Sequence, residues 1–160
     1  MLVFGPMTDE AAEAVATWSY DAPYTLYNHH HARRAGVVRG LLDPAHGYEA
    51  IFEAELGLVA FCCVGPDARV GGGAYEDEGI DIGVGLRPDL TGQGRGDRLV
   101  TAVAKRVATA HPSLRMRVTI AGFNLRARRV WEKLGYEVAS SFRRPADGIE
   151  FVVMVSVGPA

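Results

Sequence analysis

The sequence predicts one α/β domain, residues 1–160, built on a mixed sheet, and three observations carry that reading. Gly57-Leu58-Val59-Ala60-Phe61-Cys62-Cys63-Val64 is apolar on both parities, which suits a strand buried on both faces. Residues 82–99 read as a strand, then a loop with glycine at every second position, then a helix. The element order is mixed: helices early, a meander of strands, then strand–loop–helix–strand–helix–strand–strand.

Each element has its own signal. A short strand at 2–4 precedes Thr8-Asp9-Glu10, which caps an alanine-rich helix running to about Trp18. Tyr20-Asp21-Ala22-Pro23-Tyr24-Thr25-Leu26-Tyr27-Asn28 is aromatic and broken by proline, a loop with short helical turns. A second helix is expected over 32–42, closed by Asp43-Pro44. Residues 48–54 read as a strand with an acidic outer side, and 71–79 as a glycine-rich acidic turn. The strand at 80–86 carries two interior glycines. In the helix at 97–110, Leu99, Val100, Val103, Val107 and Ala110 recur at helical spacing. A strand at 114–120 alternates basic and apolar residues. A helix at 124–134 ends at Gly135, and strands at 137–142 and 149–157 flank the turn Pro145-Ala146-Asp147-Gly148.

Composition narrows the classes. Hydrophobic residues make up 48% and charged residues 22% of 160 residues, so a packed core is expected. A net charge of -2 argues against a chain that coats nucleic acid or anionic lipid. No apolar run approaches the ~18 residues of a membrane span, and the first residues lack a basic and apolar leader pattern. A cytoplasmic location is therefore expected, with no membrane partner. Adjacent Cys62 and Cys63 cannot form a disulfide framework and read as core. The run His29-His30-His31 is read as a polar loop at the rim of a cleft rather than a metal site, because consecutive side chains diverge; no metal is expected.

The chemistry is concentrated in Leu86-Arg87-Pro88-Asp89-Leu90-Thr91-Gly92-Gln93-Gly94-Arg95-Gly96-Asp97. Glycines let the backbone approach a ligand, and the helix N-terminus adds about half a positive charge, so a phosphate or pyrophosphate is the natural occupant. The Walker pattern fails because Gly96 is followed by Asp97-Arg98, and the dinucleotide fingerprint fails because Asp97 stands where its third glycine belongs. Downstream lies Asn124-Leu125-Arg126-Ala127-Arg128-Arg129-Val130-Trp131-Glu132-Lys133-Leu134-Gly135-Tyr136.

These two segments, in this order, resemble the paired motifs of the GCN5-related N-acetyltransferase (GNAT) superfamily. The style of the second is closest to the branch that acetylates ribosomal-protein N-termini. The resemblance implies a mixed, mostly antiparallel sheet of about six to seven strands, with helices on both faces and a splay between strands four and five. It implies acetyl-CoA as cosubstrate and direct attack of a primary amine, from a peptide or a small molecule. Pantetheine would pair with Val84, Gly85 and Leu86 as a pseudo-strand. Gly92, Gln93, Gly94, Arg95, Gly96 and Asp97 would cradle the pyrophosphate, Asn124 would contact the cofactor, and the Leu86 N–H would stabilise the oxyanion. Tyr24, Tyr27 and Tyr136 are the candidate cleft residues. A homodimer is compatible with this reading.

Three positions depart from the superfamily pattern. Thr91 replaces the usual Arg or Gln, so one side-chain contact to phosphate is lost. Trp131 stands where many members have a tyrosine acid, and Thr119 where some have a glutamate base. Asp81, on the parity of Gly83 and Gly85, is the candidate for a water-relayed base, with a structural ion pair as the other reading. The need for a base depends on the acceptor. At pH 7 an α-amine costs ~1.0–1.4 kcal/mol to deprotonate and a lysine about 4.6 kcal/mol. Positioning contributes ~7–11 kcal/mol, more than either. The alternatives are an acyl-CoA-binding sensor with weak or no catalysis, and an interaction module whose loop binds no nucleotide. Seven of the fifteen arginines lie between Arg95 and Arg128, where a polyanionic cofactor would sit.

Overall fold

The computed structural model describes residues 1–29, 33–75 and 78–157. Its elements are β1 (Leu2–Pro6), α1 (Asp9–Thr17), α2 (Arg34–Leu42), β2 (Tyr48–Glu53), β3 (Gly57–Val64), β4 (Ile80–Leu86), α3 (Arg95–Ala110), β5 (Met116–Ala121), α4 (Leu125–Lys133), β6 (Tyr136–Arg143) and β7 (Glu150–Ser156). The seven strands form one sheet in the order β1-β2-β3-β4-β5-β7-β6. Every neighbouring pair is antiparallel except β4 and β5, which run parallel. The expected mixed, mostly antiparallel sheet is therefore observed.

Local chemistry accounts for the helix ends. Thr8 accepts the Ala11 N–H at 3.1 Å, and Asp9 and Glu10 occupy the first turn of α1, where the helix dipole favours negative charge. The helix α3 starts two residues before the expected 97, because Gly94 adopts the left-handed region at φ 75 and serves as its N-cap. Arg95 and Gly96, expected in the loop, are thus in the first helical turn. The predicted start of α2 at Ala32 falls outside the described residues, as do His30, His31, Glu76 and Asp77. The strand β5 begins at Met116, whose N–H bonds Ser156 Oγ at 3.1 Å, rather than at 114.

Helices cover both faces of the sheet. On one face Leu99, Val100, Val103 and Val107 of α3 and Trp131 of α4 pack with Ile51, Cys62, Ile82, Val118 and Met154. Each such aliphatic side chain contributes about 1.5–3 kcal/mol on full burial. On the other face Ala12 and Val15 of α1 and Leu41 of α2 form a smaller cluster that continues through Trp18, Tyr48 and Phe61.

Candidate active site

The site begins where β4 and β5 part. Their ladder contains Ile80 with Met116, Asp81 with Arg117 and Ile82 with Val118, and stops there. Beyond it, β4 stays paired with β3 as far as Leu86, while β5 stays paired with β7 as far as Ala121. The Arg87 N–H donates to the Val59 carbonyl at 2.8 Å, and bonded residues alternate along an antiparallel pair. Gly85 therefore directs its polar backbone groups at β3, whereas Val84 and Leu86 direct theirs into the opening. The Leu86 carbonyl is engaged there by the Tyr20 hydroxyl at 2.7 Å, which ties the segment after α1 to this strand. The Leu86 N–H and the backbone groups of Val84 face the opening.

Gly85 is imposed by a close approach. It lies opposite Phe61 in the register, and a Cβ at Gly85 would fall 2.3 Å from Phe61 Cε1. The Phe61 ring is itself packed at 6.0 Å from both Trp18 and Tyr48, so it has little room to yield.

The glycine loop closes one end of the opening. Gly92 and Gly94 have φ values of 73 and 75, a region that other residues enter only at a cost, and this explains their spacing. The first N–H groups of α3 have no partner within the helix and point out of its end. The loop's side chains turn away from that end. Thr91 Oγ1 donates back to the Pro88 carbonyl at 2.8 Å, and Gln93 Nε2 donates to the Asp89 carbonyl at 2.7 Å. Arg95 bonds Glu53 at 3.3 Å, and Asp97 pairs with Lys133 at 3.0 Å. A cationic side chain reaches the loop from α4 instead: a Cβ on Gly92 would lie 3.2 Å from Arg126 Nη1. The same guanidinium lies 4.5 Å over the Tyr24 ring.

A cleft of about 510 Å³ runs from this loop through the opening. Val84, Gly85, Leu86, Gly92, Gly94, Gly96, Asp97 and Asn124 line it, whereas the side chains of Gln93 and Arg95 do not; Gly85, expected to pair with pantetheine, instead spends its backbone groups on β3. Asn124 has two duties. Its Oδ1 accepts the Ala127 N–H at 3.1 Å and caps α4, while its Nδ2 donates to the Tyr27 hydroxyl at 3.1 Å. The lining also includes Trp18, Tyr20, Tyr24, Tyr27, His29 and Phe61, with Tyr24 under the Arg126 guanidinium. Burial pushes the Tyr20 and Tyr27 phenols above their ordinary values and keeps them protonated. Burial also lowers the His29 pKa, so its ring is neutral at pH 7.

Two expected site residues are placed elsewhere. Tyr136 is 4% exposed and outside the cleft; its ring meets Trp131 edge-on at 4.8 Å, and its hydroxyl donates to Met116 Sδ at 3.5 Å. As the first residue of β6, just after the Gly135 turn, it faces inward and belongs to the core. Asp81 is 3% exposed, and its carboxylate is consumed by arginines. Arg117 donates to both oxygens at 2.8 Å and Arg69 to Oδ2 at 2.8 Å. Burial alone would raise its pKa, but the Arg117 and Arg69 hydrogen bonds outweigh it and hold the carboxyl below its ordinary value. The carboxylate does not line the cleft, and its three arginine bonds favour the ion-pair reading over that of a base.

The Tyr75 ring lies 5.4 Å from both of those guanidinium groups, and its hydroxyl bonds Thr119 Oγ1 at 2.8 Å. Thr119 lines the cleft in place of the superfamily's glutamate, so this position offers a hydroxyl and no charge. Trp131 is 5% exposed and carries no proton of use to a leaving thiolate. Burial pushes the Cys62 and Cys63 thiols up to about 12 and about 11, which disfavours the thiolate at neutral pH. Among the described residues, no three His, Cys, Asp or Glu side chains gather as a metal would require, and no helix is long and apolar enough to cross a membrane. Phe61 was legible in sequence only as core. Its place in the cleft wall follows from its register opposite Gly85.

Comparison with known proteins agrees with this geometry. Residues 67–144 match the family model described as FR47-like protein. No curated protein matches the sequence. Among solved structures, a putative GNAT-family acetyltransferase from Bordetella pertussis superposes with a TM-score of 0.72 at 18% identity, over 98% of this chain and 95% of that one. The aminoglycoside acetyltransferase AAC(6')-Ib, in complex with coenzyme A, gives 0.73 at 18% identity over 98% and 95%. A spermidine N-acetyltransferase chimera from Vibrio cholerae and hSSAT gives 0.71 at 13% over 98% and 95%. At these identities the likeness establishes the fold: the chain has the GNAT fold, with the splay between β4 and β5 that the motifs implied.

Proposed function

We propose that this GNAT-fold chain transfers an acetyl group from acetyl-CoA to a primary amine by direct attack. The observation that carries the reading is the continuous cleft, which joins an anion-ready helix end to an aromatic-lined chamber through an opening in the sheet. Pantetheine has two amides to offer, and the outward N–H and carbonyl of Val84 supply complementary backbone partners, while the Leu86 N–H is kept for the thioester. The N–H groups of the Gly92–Asp97 segment receive the pyrophosphate, with Arg126 and Arg129 adding charge.

In the reaction, the amine lone pair attacks the thioester carbonyl, and the Leu86 N–H receives the developing oxyanion. The C–N bond forms, the C–S bond breaks, the amine proton goes to solvent, and the thiolate takes a proton from solvent. The Tyr20 hydroxyl on the Leu86 carbonyl fixes the orientation of that strand segment. No covalent enzyme intermediate is required, and the protonated Cys62 and Cys63 offer none.

A second reading, an acyl-CoA sensor without turnover, is favoured by Trp131 and Thr119 at the two positions where relatives carry proton-transfer groups. Release of free thiol from acetyl-CoA over a panel of amines separates the two. Amine-dependent thiol release, absent without amine, is the expected result. Saturable acetyl-CoA binding with no thiol release from any amine would establish the sensor.

A further inference from the structure

We infer that the acceptor is a primary monoamine carrying an aromatic or branched aliphatic body, and that polyamines and aminoglycoside-like polycations are excluded. The inference rests on reading the cleft as an acetyl-transfer site and goes on to name the class of its substrate.

The chamber beyond the opening is walled by Trp18, Tyr20, Tyr24, Tyr27 and Phe61, with Val15 beneath. Among the described residues that line the whole cleft, Asp97 is the one carboxylate. It sits at the phosphate end and is held by Lys133 at 3.0 Å. Two further acids of the described residues are held by arginines: Asp81 by Arg69 and Arg117, and Glu13 on α1 by Arg34 at 2.8 Å. The lining cations, Arg126, Arg129 and Lys133, outnumber the acids. The neutral His29 adds no charge of either sign at pH 7.

A second ammonium group brought into this chamber would lose its water and find no counter-ion among the described residues that line it, a cost to any polycation that enters. One ammonium pays less, because it can shed its proton on becoming the nucleophile. An apolar surrounding without a carboxylate lowers an amine's pKa and so favours the reactive neutral form. Among the described lining residues, the absence of a base and the absence of acidic subsites are thus two sides of one property. The favourable contribution comes from the body of the acceptor, since ring faces and Phe61 gain about 25 cal/mol for each Å² of apolar surface they bury. The Tyr20 and Tyr27 hydroxyls are already engaged, by the Leu86 carbonyl and Asn124, so the walls present mainly carbon.

The test compares kcat/KM for 2-phenylethylamine, spermidine and kanamycin with the full chain at saturating acetyl-CoA. The expected result is a preference for phenylethylamine of about 30-fold or more, the size set by one unpaired buried charge. Phe61→Glu should shrink that preference by placing a carboxylate in the wall. Should that variant fold poorly, competition in the unaltered protein still decides, with n-hexylamine expected to inhibit phenylethylamine acetylation far better than spermidine. Faster turnover of spermidine or kanamycin overturns the acceptor class while leaving acetyl transfer intact. Acetyl-CoA binding with no turnover of any amine overturns both.

Discussion

Asp81→Asn is expected to lower stability by about 3–5 kcal/mol, because it takes the carboxylate out of the buried Arg117–Asp81–Arg69 cluster. Arg117 is 7% exposed and packs over Tyr75, so its guanidinium has no easy route to water once the carboxylate is gone. For a chain of this size the loss corresponds to a fall in Tm of roughly 6–20 °C. The dependence on pH has a fixed sign. The Asp81 carboxyl titrates below its ordinary value in the folded chain, so its stabilisation is fully present above the unfolded value of ~3.9. It disappears as pH falls through the lower folded value, and Asp81→Asn should flatten that part of the acid transition. Turnover per folded molecule, measured well below the variant's Tm, should stay close to that of the unaltered chain. Full stability with abolished turnover would instead make Asp81 the base.

The second large effect concerns Arg126. With Thr91 turned back onto Pro88, this guanidinium is the cation beside the Gly92 turn. A charge-assisted bond to phosphate contributes ~1.5–3 kcal/mol, so Arg126→Ala should weaken coenzyme A binding by roughly 10- to 150-fold. Arg126→Glu should weaken it further, and added salt should narrow the gap between the variants. Desulfo-coenzyme A and its 3′-dephospho form separate the possible contacts. If Arg126 reads the pyrophosphate, both ligands lose affinity equally. An unchanged dissociation constant would make Arg126 a solvated residue stacked on Tyr24.

Much of this site was legible before any coordinates. The strand ending at Leu86, the glycine loop and the Asn124 segment pointed to the fold through their resemblance to the superfamily's paired motifs, and the glycines themselves pointed only to an anion. What stayed hidden depended on register. Asp81 does share a face with Gly83 and Gly85, as parity required, yet its partners lie 12 residues before it and 36 after it. Only the three-residue parallel ladder brings Arg117 beside it. The aromatic stretch after α1 was readable as a cleft wall at Tyr24 and Tyr27, but the contact of Tyr20 with the Leu86 carbonyl spans 66 residues and has no local signal. Tyr136 illustrates the opposite failure. A motif position suggested the cleft, and the inward pleat of β6 against Trp131 put the residue in the core. Arg126 was visible as one of several arginines on one helix, and its proximity to Gly92 rather than to solvent is a product of how α4 meets the loop.

The central claim is that acetyl-CoA occupies the opening between β4 and β5, and a titration followed at individual backbone amides tests it most directly. At 17.2 kDa the chain is well suited to such resonance-by-resonance observation. Adding acetyl-CoA should shift the amides of Val84, Leu86 and residues 92–97 saturably and together, with a single dissociation constant in the micromolar range typical of enzyme substrates. Amides on β1 and β6, at the sheet edges, should stay in place. Unmoved Val84 and Leu86 amides at millimolar acetyl-CoA, or shifts confined to the sheet edges, would contradict the account.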